Sequence, residues 1–388
     1  MEPTRRRVLI TADAVGGVWT YALDLAGGLA ARGTATLLAV LGPAPSPGQR
    51  QAAASIPGLE LVETGLPLDW TAESPDGIRA AGDAVAAIAR EGGVDLVHLN
   101  SPALAAGTAF SQPLVVGCHS CVATWWAAMR GTALPRDFMW RTELVAAGYA
   151  AADALIAPTR AFADATAAAY GIAAPRVVHN GRFKTHIGPS VLPGIGERAV
   201  FTAGRLWDEG KNIALLDHAA AQLNAPVRAA GSTRGPNGAA IAFTSIEPLG
   251  NLASDEIAAR FAARPIFCSP ARYEPFGLAV LEAAAAGCAL VLSDIPSFRE
   301  LWQDAAVFVS PEDDLALARQ LRALLDDPAE RARLGEAARL RARRYNVDAM
   351  VEGTAAIYDT VIGQAARHTV ACTVERSSMQ HGLQGVSR

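Results

Sequence analysis

Two glutamates, Glu274 and Glu282, flank an apolar run in the stretch YEPFGLAVLEAAAAG. One carboxylate precedes a Pro-Phe-Gly turn and the other follows on a helix, roughly 9 Å further along at about 1.5 Å of rise per residue. Between them the backbone N–H groups of Phe276, Gly277 and Leu278 point at whatever occupies the helix start, where the helix dipole favours an anion. The chemistry this suits is a phosphate with hydroxyl-bearing groups on either side. The two carboxylates would accept hydrogen bonds from sugar hydroxyls, one from a hexose and one from a ribose.

A second cluster lies upstream. FTAGRLWDEGKN sets Arg205 and Lys211 just past a strand end, where open α/β sheets bind ligands. Arginine offers a planar fork to phosphate oxygens and lysine a point charge, so the pair suits a diphosphate. The alternative is a solvated loop in which Asp208 and Glu209 neutralise both cations. Only two lysines, Lys184 and Lys211, occur in the chain, which favours a functional reading of Lys211. Near the amino terminus Gly16 and Gly17 separate a strand from a helix that begins near Trp19. Glycines there let a backbone approach a ligand closely, or form a tight turn without one, and the motif alone leaves both open.

These residues need a frame, and apolar runs bounded by turn residues alternate with helical patterns along most of the chain. RVLI, TATLLAVLG, LELVETG, VDLVHLN, PLVVGC, ALIAPT and RVVHNG read as the strands of a first sheet. RAVFTAG, PVRAAGS, RPIFCSP, CALVLSD and AAVFVS read as those of a second. The fold class expected is α/β, two Rossmann-like domains facing a central cleft. The boundaries expected are a first domain over 1–185, a linker over 186–197, a second domain over 198–346, a helix over 347–365 and a disordered tail over 366–388.

Composition narrows the chemistry. The net charge is −4 with 51% hydrophobic and 19% charged residues, and no block of like charge suggests a nucleic-acid partner. Five cysteines, an odd number in mostly apolar surroundings, suit reduced thiols and a cytoplasmic protein. No apolar span is long enough for a membrane helix, although contact with the inner face of a membrane stays open. The first turn, ADAVGGVW, is not G-x-G-x-x-G, the second strand does not end on an acidic residue, and no Walker loop is present, so dinucleotide and P-loop chemistry rank low.

The order of GGV, HNG, GRLWDEGKN and the E-x7-E pattern from Glu274 to Glu282 resembles the retaining glycosyltransferases of family 4, which have the GT-B fold. The resemblance extends over nearly the whole chain to about Ile362. It implies that Arg205 and Lys211 neutralise a donor diphosphate, helped by the backbone from Phe276 through Gly277 to Leu278. It further implies that Glu274 holds the transferred sugar, Glu282 the ribose, and that Gly16 and Gly17 approach the phosphates. His119, in VVGCHSCVATWW, matches the histidine that similar enzymes place beside the donor sugar. The first domain would serve the acceptor, the second the donor, and the carboxy-terminal helix would pack back on the first. Trp19, Trp125 and Trp126 are weaker candidates for acceptor contact, or else buried tryptophans at helix starts.

The implied activity is hexose transfer from a nucleoside diphosphate sugar, UDP- or GDP-linked foremost, to a glycan, lipid-linked or small-molecule acceptor, as in polysaccharide biosynthesis. No cofactor is expected. No Asp-x-Asp motif is present, and metal-independent transfer with retention is the expectation. Two other classes stay open: a sugar-nucleotide isomerase or epimerase on the same fold, and a glycan-binding protein without turnover. The intact set of Arg205, Lys211, Glu274 and Glu282 argues against the latter, and the isomerase would need acid-base groups beyond His119.

Departures from the family pattern mark other positions. HNG stands where relatives often read PNG, and GRFKTH follows in place of the usual Val-Asp, so the hinge is expected to be arranged differently. IPSFRELW follows LSD, where Glu300 either caps a helix or touches ligand. Cys118 and Cys121 have a dithiol spacing but are expected to be packing thiols, and Arg341 to Tyr345 a solvated helix face.

Overall fold

A computed structural model describes residues 6–183, 197–236 and 238–384, with backbone alone for 368–384. The first unit alternates β1 (Arg7–Asp13), α1 (Gly17–Ala31), β2 (Ala35–Leu41), α2 (Pro47–Ala54), β3 (Leu59–Glu63), α3 (Pro75–Glu91), β4 (Leu96–Leu99) and β5 (Leu114–Gly117). It continues through α4 (Val122–Arg130), α5 (Arg136–Ala151), β6 (Ala154–Ala157), α6 (Arg160–Tyr170) and β7 (Arg176–Val177). The second unit comprises β8 (Val200–Ala203), α7 (Ile213–Ala220), β9 (Val227–Ala230), β10 (Glu247–Gly250), α8 (Ser254–Ala262), β11 (Ile266–Ser269) and α9 (Leu278–Ala285). It ends with β12 (Leu290–Ser293), α10 (Pro296–Trp302), β13 (Val307–Val309), α11 (Asp314–Asp326), α12 (Pro328–Ala342) and α13 (Val347–Gln384).

The strand orders are β3-β2-β1-β4-β5-β6-β7 and β10-β9-β8-β11-β12-β13, and neighbouring strands run parallel throughout. This is the expected α/β architecture of two doubly wound sheets. Strand β1 shows why: Val8 to Ala12 are buried in unbroken succession, the signature of a central strand covered on both faces. Helix α3 buries Ile78, Ala81, Gly82, Val85, Ala86 and Ala89, a stripe at helical spacing, and starts where Ser74 Oγ accepts from Gly77 N at 3.3 Å. In each sheet the order reverses direction once, between β1 and β4 and between β8 and β11. The carboxyl ends of those strands define the crevice where such sheets take ligands.

Several elements differ from the sequence expectation. RVVHNG yields only the short β7, because the chain then turns to α13, where Arg182 N reaches Tyr345 O at 3.4 Å. Strand β10 carries a proline and no apolar alternation, which an edge position tolerates. Residues 186–196 of the expected linker lie outside the described residues. Helix α13 runs beyond residue 365 to Gln384, so residues 366–384 are helical in backbone where a disordered tail was expected. Neither Gly nor Pro interrupts residues 364–381.

The first part of α13 belongs to the core of the first sheet. Val347, Met350, Val351, Ile357, Tyr358 and Val361 are buried with the residues of β1 and α1. A glycine makes this approach possible: a Cβ on Gly28 would lie 2.4 Å from Val351 Cγ2 and 2.7 Å from Val347 Cγ1. Among the described residues no helix is long and apolar enough to cross a membrane.

Candidate active site

The residues singled out above collect at the carboxyl ends of the switch-point strands. Strand β1 ends at Asp13, whose Oδ1 accepts from Val15 N at 2.9 Å and Gly16 N at 3.2 Å and so fixes the turn into α1. Burial raises the Asp13 pKa, against these N–H groups and the Arg205 charge. No side chain caps α1 at Gly16. Opposite, the chain leaving β8 brings Arg205 so close that a Cβ on Gly16 would lie 2.8 Å from its Nη1. A Cβ on Gly17 would lie 3.4 Å from Leu278 Cδ1, in the first turn of α9. That helix also starts without a side-chain cap, at Gly277. The φ of +89° there, with Phe298 and Val280 each 3.1 Å from a would-be Cβ, leaves room for glycine alone. Two helix amino termini, one from each unit, therefore meet across the cleft with Arg205 beside them.

The charges around this point pair selectively. Arg205 Nη2 donates to Asp208 Oδ2 at 2.8 Å, and Asp208 Oδ1 accepts from Gly210 N at 2.9 Å. Burial opposes the charge on Asp208, but Arg205 and Lys211 outweigh it and hold its carboxyl below the usual range. Glu209 does not join them: it takes the Arg130 guanidinium at 2.7 and 2.6 Å, tying the loop after β8 to α4. Lys211 Nζ instead donates to Glu274 Oε2 at 2.5 Å. Of the neutralising pairs considered, Asp208 on Arg205 forms, but with the Asp208 side chain only 13% exposed and so not in a solvated loop, whereas Glu209 turns to Arg130. Ser297 Oγ donates to the Glu274 carbonyl at 2.5 Å and steadies the turn. Phe276 is buried in the core of the second unit, so its ring is not offered to a ligand.

Glu282 lies on α9 with Arg182 Nε 2.9 Å from its Oε1, and the same guanidinium pairs with Asp24 of α1. Burial raises the Glu282 pKa, with Arg182 acting against it, and burial pushes Asp24 up to about 6.

His119 follows β5. Its Nε2 lies 2.7 Å from Asn100 Oδ1, and its ring meets the Tyr21 ring edge-on with centroids 4.6 Å apart. Asn100 Nδ2 donates to Thr11 O at 2.7 Å, which orients the amide and makes Oδ1 the atom facing the imidazole. The proton therefore sits on Nε2, and Nδ1 is left as an acceptor. Burial lowers the His119 pKa to about 4, so the ring is neutral at pH 7. Behind it, fully buried His98 places Nδ1 2.6 Å from the Tyr358 hydroxyl of α13.

The remaining candidates divide. Trp125 and Trp126 sit half-buried on α4, with the Arg130 guanidinium 5.2 and 5.8 Å from their ring centroids. Trp19 is only 6% exposed within the core, so its face is not offered to an acceptor; the helix start turns it inward. Cys118 and Cys121 are free thiols: burial pushes Cys118 up to about 12, while Cys121 Sγ accepts from Thr124 N at 3.4 Å at the start of α4. Glu300 caps a helix of the other unit, accepting from Arg160 N and Ala161 N of α6 at 2.8 Å each. Within Arg341 to Tyr345, Tyr345 is buried and its hydroxyl donates to Leu301 O at 3.1 Å, so that segment is not wholly a solvated face. Among the described residues no group of three or more His, Cys, Asp or Glu is placed to hold a metal ion. Asp13, Asn100 and Arg182 escaped the sequence reading, the first two because a lone polar residue after a strand has no distinctive pattern. For Arg182 the departure at GRF was the available signal.

Comparison with known proteins matches residues 15–182 to the model of Glycosyltransferase Family 4 and residues 244–341 to that of Glycosyl transferases group 1. A glycogen synthase of Mycobacterium tuberculosis is 38% identical over 113 residues, 28% of this chain and 27% of that protein. The matched stretch thus spans under a third of that relative. Among solved structures, the sucrose-phosphate synthase of Thermosynechococcus elongatus superposes with a TM-score of 0.75 at 19% identity, covering 93% of this chain and 100% of its own. Anabaena Alr3699/HepE, crystallised with UDP and glucose, gives 0.70 at 19% identity over 92% and 99% of the two chains.

Proposed function

Since the chain belongs to the family 4 glycosyltransferases with the GT-B fold, we propose that it moves a hexose from a nucleoside diphosphate sugar to a carbohydrate, lipid-linked or small-molecule acceptor, with retention and without a metal. The observation that carries this reading is the meeting of two uncapped helix amino termini, α1 and α9, beside Arg205 and Lys211. Cleaving the sugar–phosphate bond builds negative charge on the departing diphosphate. Fixed cations and helix ends aimed at that charge stabilise the transition state without rearranging during the reaction.

Each side chain then has a task. Arg205 and Lys211 compensate the diphosphate, taking the place a metal would fill. Glu274, held by Lys211, faces the positive charge that develops on the sugar ring and accepts from its hydroxyls. His119, neutral with Nδ1 as acceptor, takes a hydrogen bond from a hydroxyl of the same sugar. Glu282 accepts from the ribose. The acceptor enters over α4, past Trp125 and Trp126, on the face of the sugar that carries the leaving group, which gives retention. A uridine donor is supported by the UDP held by the Anabaena protein of the same fold.

The test is a thermal-shift screen against UDP, GDP, ADP and their sugars with and without chelator, then proton NMR of the anomeric configuration of the product. Ligand at about a hundred times its Kd stabilises by ~2.7 kcal/mol. One nucleotide family should raise the melting temperature equally in chelator, and the product should keep the donor's configuration. No shift at millimolar nucleotide, or an inverted product, would overturn the reading.

A further inference from the structure

We propose that Arg182 is a positioning residue of the donor site: it orients the Glu282 carboxylate that faces the ribose, and ties it to the first unit through Asp24. The inference rests on the donor-site reading of Glu282 given above.

Arg182 stands in GRF, just after β7, and its side chain lies between the two units rather than in solvent. Its Nε is 2.9 Å from Glu282 Oε1 on α9, and its Nη1 pairs with Asp24 on α1. Side-chain exposure is 27% for Arg182, 7% for Asp24 and 21% for Glu282, so this cation joins two carboxylates that are both largely removed from water. The backbone fixes its base. Arg182 N reaches Tyr345 O, and a Cβ on Gly181 would lie 2.1 Å from the Asn346 carbonyl oxygen. The next residue, Phe183, lays its ring against Gly27 of α1, 3.0 Å from a would-be Cβ. The backbone of this segment is therefore held against Tyr345 and Asn346 of the second unit, while the guanidinium reaches Asp24 of the first and Glu282 of the second.

The charged groups that face one another here are Asp24 from α1, Arg182 from the segment after β7 and Glu282 from α9. Without the arginine, two buried carboxylates would share one region, and such a pair takes up a proton. A protonated Glu282 would keep one neutral acceptor oxygen and lose the charge assistance that strengthens its bond to a ribose hydroxyl. With the arginine, Oε1 is engaged and Oε2 is left to accept from the 2′- or 3′-hydroxyl. An aliphatic side chain at this position could do neither. Ribose recognition in this chain thus depends on a contact to the first unit.

The experiment compares UDP and GDP with their 2′,3′-dideoxy counterparts by calorimetry on wild type, Arg182→Met and Arg182→Lys, with donor KM and kcat measured beside them. Wild type should prefer the matching ribonucleotide by about tenfold or more, since the carboxylate bonds are charge-assisted. Arg182→Met should reduce that preference to under threefold and raise donor KM with kcat changed less than twofold. Loss of packing alone would weaken ribonucleotide and dideoxynucleotide together. Arg182→Lys keeps a charge but cannot contact both carboxylates with a planar fork. Its preference should fall at least threefold, and it carries the test if the methionine variant does not fold. Undiminished preference in either folded variant overturns the proposal and leaves the donor site standing. If wild type prefers neither ribonucleotide, the donor-site reading of Glu282 falls first.

Discussion

Replacing Lys211 with alanine should separate catalysis from folding at this site. Two effects can be worked from the ion pair, in which Nζ is 2.5 Å from Glu274 Oε2 and the side chains are 20% and 14% exposed. The first is loss of a preorganised cation beside the departing diphosphate. Removing one such donor typically raises the barrier by ~2.7–4 kcal/mol, a fall in kcat of about 10²–10³-fold. The second is a carboxylate left unpaired. Breaking a buried pair costs about 3–5 kcal/mol, and the residual exposure of both groups puts this one at or below the lower figure. The melting temperature should drop by about 2–4 °C for each kcal/mol in a domain of this size. The assay is initial-rate kinetics with the donor found by thermal shift, beside circular-dichroism melts, on Lys211→Ala and on Lys211→Ala combined with Glu274→Ala. The double variant removes the stranded charge, so it should regain stability and remain inactive. A folded Lys211→Ala protein with kcat within fivefold of wild type would refute the assignment of Lys211 to the phosphate.

Gly28→Ala should be destabilising although alanine is the better helix former by ~1 kcal/mol, because its Cβ would sit 2.4 Å from Val351 Cγ2 and force α13 off α1. Overpacking of about 1–3 kcal/mol should lower the melting temperature, and adding Val351→Ala should restore part of it; an unchanged melt would mean that α13 does not press on α1. His119 should titrate by NMR near pH 4, with catalysis insensitive to its protonation above pH 5; a midpoint at 6 or above would contradict its neutral state. Because its folded pKa is below the unfolded value of about 6.5, the folded form binds fewer protons between these two values. Its contribution to stability is therefore complete above pH 6.5 and lost as the pH falls towards 4, and His119→Gln should flatten that part of the melting profile.

Much of the site was legible along the chain because its determinants are local. An apolar run that ends in Gly16-Gly17, in Gly204-Arg205 or before Glu274 specifies a strand followed by a turn and a helix start, and a parallel α/β sheet gathers such strand ends on one edge. Hydrophobic periodicity therefore predicted the fold class and the neighbourhood of every proposed donor residue. Residue types alone showed that the neighbourhood mixes two cations, Arg205 and Lys211, with two carboxylates, Glu274 and Glu282.

Partner choice was decided by the tertiary structure. Lys211 lies 63 residues from Glu274, Arg130 lies 79 from Glu209, and His98 lies 260 from Tyr358. Only the order of strands and the docking of the two units make these neighbours. Glu300 became a cap for a helix of the other unit, and Trp19 turned into the core. The start of α13, which follows the second sheet in sequence, completed the core of the first through the notch at Gly28. Chain sequence specifies what each segment can bury and which groups it carries; pairing depends on distances through space between segments that share no local pattern. For the same reason Arg182 showed in the sequence only as a departure from its family, while its link from Asp24 to Glu282 required both units to be in place.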